Sequence, residues 1–338
     1  MKKSILTILA ALALSISGLF AQDPHFSQFY ATPLYTNPAL AGSLVCPRVS
    51  IVYRNQWPSI QQAFRTPAVS YDQYFDALSG GIGVFVMSDA QSEYYRTNMA
   101  ALMYSLRLKI TKDVFLNLAV QGSITSRSLD WDKLHFGDEI DPRYGFIYTS
   151  MAERPSSMSR TFFDVGAGLV VYGEQWYVGF AAHNLTQPND GYLGYNRIPI
   201  RWTAHAGMNF NISRDARRTN AFFGAPIISP NVIYDYQNGF QKLNLGLYLD
   251  WSPFIVGAWL RHPLSGYEGI NGTQYFEADA IVLLFGAQWE KFKLGYSYDI
   301  TVSGLSNASG GAHEISLSYQ FPCPEKHKKV KSIKCPSF

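Results

Sequence analysis

The chain has 338 residues, 16% of them charged and 15% aromatic, and a formal net charge of +3. Soluble domains usually carry about a quarter charged residues, well above this chain, and so small a positive balance gives nucleic acid little to hold. No basic stripe interleaved with stacking aromatics makes a recognisable nucleic-acid module, so no nucleic-acid partner is expected.

Met1 to Ala21 reads as a secretory signal: Lys2 and Lys3, an apolar run from Ile5 to Phe20, then Ala21 before Gln22. No later stretch approaches the roughly 18 apolar residues of a spanning helix. Residues 22–46 show no sustained period and carry Pro24, Pro33 and Pro38, yet are rich in Phe and Tyr. A disordered leader carries fewer large rings, so this segment is expected to pack against something.

Strands then arrive at regular intervals. The first is centred on Val49, Ile51 and Tyr53, followed by Pro67–Tyr74, Gly81–Met87, Thr97–Leu108 and Val114–Thr125. Arg160–Tyr172, Trp176–His183, Trp202–Phe210 and Ile227–Tyr236 come next. The tenth sets Leu243, Leu245, Leu247, Leu249 and Trp251 against Lys242, Asn244, Gly246 and Asp250. Phe254–Arg261, Tyr275–Phe285, a strand starting at Phe292 and Ala312–Phe321 bring the number to about fourteen. A period of two means β-strand, because successive side chains point to opposite faces.

Alternation alone does not say which face is wet. In a soluble sandwich the apolar face points inward; in a membrane barrel it meets lipid and the polar face lines the interior. The connections decide for the barrel. Trp57–Thr66, Asp89–Tyr94, Asp130–Ser159, Asn184–Arg201, Asp235–Gln241, His262–Gln274 and Asp299–Gly311 read as long and polar. Those between them are tight, apart from Ser213–Ala225. Outer-membrane barrels alternate short periplasmic turns with long outer loops, and an abundance of Tyr, Phe and Trp suits their aromatic girdles. The expectation is therefore an all-β, transmembrane antiparallel up-and-down β-barrel of about 14 strands spanning 47–322. Residues 22–46 form an N-terminal plug, residues 323–338 a basic tail, and both termini are periplasmic.

Three cysteines remain after export into an oxidising compartment, where pairing is allowed. Cys46 and Cys323 flank the first and last strands, which are neighbours in a closed barrel. The competing pair is Cys323 with Cys335, each followed by Pro, and it is slightly preferred here. The lysine-rich stretch between those two is either a solvated tail or a dock for an acidic periplasmic partner or anionic headgroups.

Several features tempt toward chemistry. Asp130, Asp132, Asp138, Glu139 and Asp141 offer hard oxygen ligands, but not at EF-hand spacing. His183, His205 and His313 fall on or beside strands, where a lumen histidine bonded to its neighbours is the ordinary reading. No catalytic residue, metal site or cofactor is expected.

One resemblance runs almost the length of the chain. Asp23-Pro24-His25-Phe26-Ser27-Gln28-Phe29-Tyr30 and Asn37-Pro38-Ala39 open it. Tyr53-Arg54-Asn55-Gln56-Trp57-Pro58 and Asp130-Trp131-Asp132, running on to Phe136-Gly137-Asp138 and Asp141-Pro142-Arg143, continue it. His183-Asn184-Leu185 and His313-Glu314-Ile315 complete it. Together these resemble the PorP/SprF family of Bacteroidota, with a tail closer to the SprF branch. The resemblance implies an outer-membrane barrel of the type IX secretion and gliding machinery. It would work with periplasmic secretion and gliding subunits and with the C-terminal domain of a large secreted adhesin. The loop from Leu129 to Ser159, with Asp130, Trp131, Asp132, Phe136, Asp141 and Arg143, is the candidate adhesin contact. Asn37-Pro38-Ala39 also resembles the hatch of FadL-like transporters, which supplies the rival function, transport of a small hydrophobe. A plain porin is the third reading.

Overall fold

The computed structural model describes residues 23–60, 64–212, 225–264, 267–268, 274–275, 279–302 and 310–323. The expected signal sequence, the tail beyond Cys323 and most of the 213–225 connection lie outside the described residues.

The wall is built from β1 (Arg48–Gln56), β2 (Phe64–Phe75), β3 (Gly80–Gln91), β4 (Tyr95–Lys109), β5 (Phe115–Leu129), β6 (Ser159–Tyr172) and β7 (Trp176–His183). It continues with β8 (Arg201–Met208), β9 (Ile227–Gln237), β10 (Phe240–Trp251), β11 (Phe254–Pro263), β12 (Ala280–Trp289), β13 (Phe292–Thr301) and β14 (Ala312–Gln320). Phe210–Asn211 prolongs β8 along β9. Every strand pairs antiparallel with its neighbour in sequence, and β1 pairs with β14, Arg48 opposite Gln320 and Gln56 opposite Ala312. The sheet is a closed fourteen-strand barrel, and closure leaves lipid no unpaired backbone edge to meet.

The faces settle which solvent each side meets. On β14, Ile315 and Leu317 are 50% and 42% exposed, whereas Glu314, Ser316 and Ser318 are at most 3% exposed. On β10, Leu245 and Leu247 are exposed while Asn244 is buried. Apolar side chains therefore face outward and polar ones inward, the arrangement of a membrane barrel.

Several extents differ from the sequence expectation, and the Asp89–Tyr94 connection, expected to be long, is only Ser92–Tyr94 between β3 and β4. The twelfth strand begins at Ala280, because Gln274–Tyr275 pairs with Tyr267–Glu268 in a small hairpin of its own. The Asp235–Gln241 connection is not long: β9 and β10 zip up to Gln237 opposite Phe240. Asn238 and Gly239 both take positive φ (49° and 82°), the backbone of a tight two-residue hairpin turn that Asn-Gly favours.

Cys46 and Cys323 form a disulfide, with Cα atoms 4.6 Å apart. This corrects the preference for Cys323–Cys335. Pairing of β1 with β14 already carries the first two cysteines to bonding distance. Cys335 lies outside the described residues. The bridge closes a separation of 277 residues. Replacing both partners by Ser is expected to cost about 2–4 kcal/mol, read as a lower unfolding temperature in detergent that reductant reproduces in the parent protein.

Residues 23–46 run through the interior, nearly all buried. A single α-turn, α1 (Pro33–Thr36), leads into a 3-10 turn at Pro38–Leu40. The path is oriented. Cys46 sits at the rim of the short turns, while Asp23 approaches Gln237 and Asn184 at the opposite, long-loop rim. The two ends of the wall thus share the short-turn rim, where Arg48 faces Gln320, whereas Asp23 lies at the opposite one.

Candidate functional site: the lined interior and the long-loop rim

Polar side chains on the inner face would be costly if left unpaired away from water. Here the N-terminal segment supplies their partners. The backbone N–H groups of Ser27 and Gln28 donate to the two carboxylate oxygens of Glu314, at 2.8 and 2.9 Å. Arg54 donates to Glu314 at 3.1 Å and to Asp299 at 2.9 Å, and Arg261 donates to Asp299 at 3.1 Å. The Ser27 hydroxyl accepts from both guanidiniums and donates to Asp299 at 2.6 Å. Two cations and two anions balance in a buried cluster drawn from β1, β11, β13 and β14. Gln28 completes it, donating to the Glu314 carbonyl and accepting from Ser316.

A second anchor forms around Asn37. Its amide donates to the carbonyls of Leu169 and Phe180 at 3.1 and 3.2 Å, and its side-chain oxygen accepts from Ala39 N–H, capping the 3-10 turn. His205 Nε2 lies 3.0 Å from the same amide. This approach requires Gly168, because a Cβ there would fall 2.2 Å from the Asn37 oxygen. Gly81 plays the same part beneath Ala41. The Ala39 carbonyl accepts from Ser105 and Asn117, and Gly42 N–H donates to Asp72, itself held by Arg48.

The other segment residues singled out in the sequence are also tied down. Asp23 accepts from Asn184 and lies 3.6 Å from Arg201. The Pro24 carbonyl accepts from the Tyr35 hydroxyl, and Tyr30 bonds Tyr177. The Lys242 ammonium donates to His25 Nδ1, 3.0 Å away. Phe26, Phe29 and Tyr30 pack with Tyr35, Trp259 and Tyr248 in an apolar core inside the barrel.

At the long-loop rim, residues 130–158 form an ordered projection. The Asp130 N–H donates to the Tyr94 carbonyl, Trp131 packs on Phe136 at 5.0 Å, and Asp132 pairs with Arg154 at 3.0 Å. Asp138 accepts from Met151 N–H and Ser150, and Asp141 from the N–H groups of Arg143 and Tyr144. Asp132, Asp138 and Asp141 thus serve as partners within their own loop. Among the described residues no group of three or more His, Cys, Asp or Glu could hold a metal.

Backbone N–H donors hold the Asp138 and Asp141 carboxyls below the usual carboxylate range. A depressed carboxyl supports folded structure above its ordinary pKa and loses that support as pH falls through the lowered value. The loop is therefore expected to keep its order down to about pH 4 and to loosen only below it. Amide exchange at Arg143, Tyr144 and Met151 checks this.

Sequence reading missed what this projection displays. A short hairpin, Ile140–Asp141 against Gly145–Phe146, leaves Tyr144, Phe146, Ile147, Tyr148 and Met151 more than half exposed. The available signal was the run Gly145-Phe146-Ile147-Tyr148 within an otherwise polar loop. It also missed the Arg54, Arg261, Asp299 and Glu314 cluster, for which the signal was charge on the polar face of a strand.

A family model described as type IX secretion system membrane protein PorP/SprF matches residues 19–319. No curated protein matches. Solved structures similar to the chain include the outer membrane protein Omp33 of Acinetobacter baumannii, at 10% identity and TM-score 0.42. That match covers 82% of this chain and all of that one. A TodX monoaromatic hydrocarbon channel mutant aligns at 11% identity and TM-score 0.47, covering 86% of this chain and 94% of that one.

Proposed function

Since the chain belongs to the PorP/SprF family of type IX secretion system membrane proteins, we propose that this outer-membrane barrel is a docking platform. Its long-loop side faces the cell exterior, and it binds the C-terminal domain of a large secreted adhesin to help export or anchor it. The N-terminal segment is the plug that makes it a platform rather than a pore. Periplasmic subunits of the secretion and gliding machinery meet the short-turn rim. The role is recognition and needs no catalysis.

The observation that supports this reading is the buried network of Ser27 and Gln28 with Arg54, Arg261, Asp299 and Glu314. It commits the lumen to the protein's own chain, while apolar rings stand exposed at the 140–151 tip. A transporter of small hydrophobes needs a continuous path, and the anchors at Ser27 and Asn37 lie across it. Deleting the gene is expected to leave one or more large adhesins off the cell surface. Adhesins displayed normally, with uptake of a small hydrophobe lost instead, would reject the platform in favour of transport.

A further inference from the structure

The wall has a step in it. β6 pairs with β5 along its whole length, from Tyr172 opposite Phe115 to Ser159 opposite Ser128. On its other side β6 pairs with β7 only from Tyr172 to Ala167. Above that, the Val165 carbonyl accepts from Leu185 N–H, and the Phe163 carbonyl from the Thr186 hydroxyl. The chain then leaves the sheet. Residues 188–198 fold back on themselves through Ile198 N–H to Pro188 and an Asn189–Arg197 bridge, and they turn over the lumen, where Asp190 pairs with inward-facing Arg127. Because Val165 bonds toward β7, so do Phe163 and Thr161, two and four residues along the strand. The Phe163 N–H and both backbone groups of Thr161 have no hydrogen-bond partner among the described residues.

This edge stands above the lipid. Outward-facing residues of β5 and β6 change from Val120, Ile124 and Phe163, each more than half exposed, to Ser126, Ser159 and Thr161, which bond one another through their hydroxyls. Ser88 and Asn98 continue the same polar collar on β3 and β4. An open edge of β-prone residues in water is a template for another strand, and proteins normally cover one with a loop, a bulge, a proline or a charge. Thr161 is exposed, and neither a proline nor a charged side chain stands at positions 161–163.

We propose that the free edge of β6 at Thr161–Phe163 receives an extended strand of the adhesin's C-terminal domain by β-augmentation. Main-chain bonds would hold the strand, and the neighbouring aromatic tip would select it. The assignment of that occupant rests on the platform reading. A second copy of the barrel is a poor occupant. Two copies in one membrane share their up-down sense, so their β6 edges run in the same direction, whereas identical edges related by a two-fold pair antiparallel.

The test uses the full-length barrel in detergent and a purified adhesin C-terminal domain from the same secretion machinery. Thr161→Pro deletes a free N–H and leaves the β5 ladder untouched, since proline is tolerated on an edge; Thr161→Val is the control. The expected result is that the domain slows amide exchange at Thr161 and Phe163, and that Thr161→Pro weakens binding about tenfold or more while Thr161→Val does not. Unchanged exchange and equal binding by Thr161→Pro would overturn the edge while leaving the platform intact. Crosslinks between barrels at position 161 would assign it to self-association and overturn it too. A domain that fails to bind the parent barrel, under conditions where the barrel stays heat-modifiable and folded, removes the platform reading and this proposal with it.

Discussion

Glu314→Ala is expected to lower barrel stability by about 3–5 kcal/mol, because truncating one member of a buried charge cluster strands the others. Glu314 is fully buried and receives two backbone N–H groups and one guanidinium. Without it, Ser27 and Gln28 lose their main-chain acceptor, and Arg54 keeps only Asp299 among the cluster's carboxylates. The loss reaches function through the segment it holds. A barrel whose Ser27–Gln28 anchor is broken is expected to show ion conductance in a planar bilayer where the parent is silent. Ser27→Pro separates the two effects, since it removes one N–H and the hydroxyl shared by Arg54, Arg261 and Asp299 while leaving all four charged side chains in place. It should raise conductance with a smaller change in unfolding temperature. Silent bilayers with both variants would mean that this anchor does not hold the lumen shut.

The second large effect is expected at the loop tip. Tyr144→Ser with Phe146→Ser should weaken retention of the adhesin domain by about 30- to 1000-fold, since aromatic anchors at an interface are worth about 1–2 kcal/mol each. Both rings are more than 60% exposed on a hairpin whose backbone is pinned by Asp138 and Asp141, so removing them costs the barrel little. Binding measured with purified components, alongside an unchanged unfolding temperature, separates a lost contact from a lost fold. Equal binding by the double variant would place the adhesin elsewhere on the rim.

The wall was legible residue by residue. Leu243 to Trp251 against Lys242 to Asp250 can only be a strand with one apolar and one polar face. The clearest error of extent, the twelfth strand, arose where Tyr275 and Phe276 extend an apolar alternation that the chain spends on a separate hairpin at Tyr275. At another error, Asn238-Gly239 lies inside a polar stretch that resembled a long loop, and the turn chemistry of that dipeptide was the overlooked signal. The N-terminal motif was read as packing against something because of its rings. Its bonding partners at Leu169, His205, Glu314 and Ser105 lie scattered over the chain, and no local pattern links them.

Period-two alternation with punctual turns is a property of neighbours along the chain, so the sequence by itself determined a sheet, its two faces and the number of passes. Which side chains converge inside it depends on strand order, register and the curvature of a closed wall. Only the tertiary structure could therefore bring Ser27, Arg54, Arg261, Asp299 and Glu314 into one cluster, join Cys46 to Cys323, and leave β6 standing above a shorter β7. Each of these joins groups set far apart in the chain, and closure of the barrel is what brings them together.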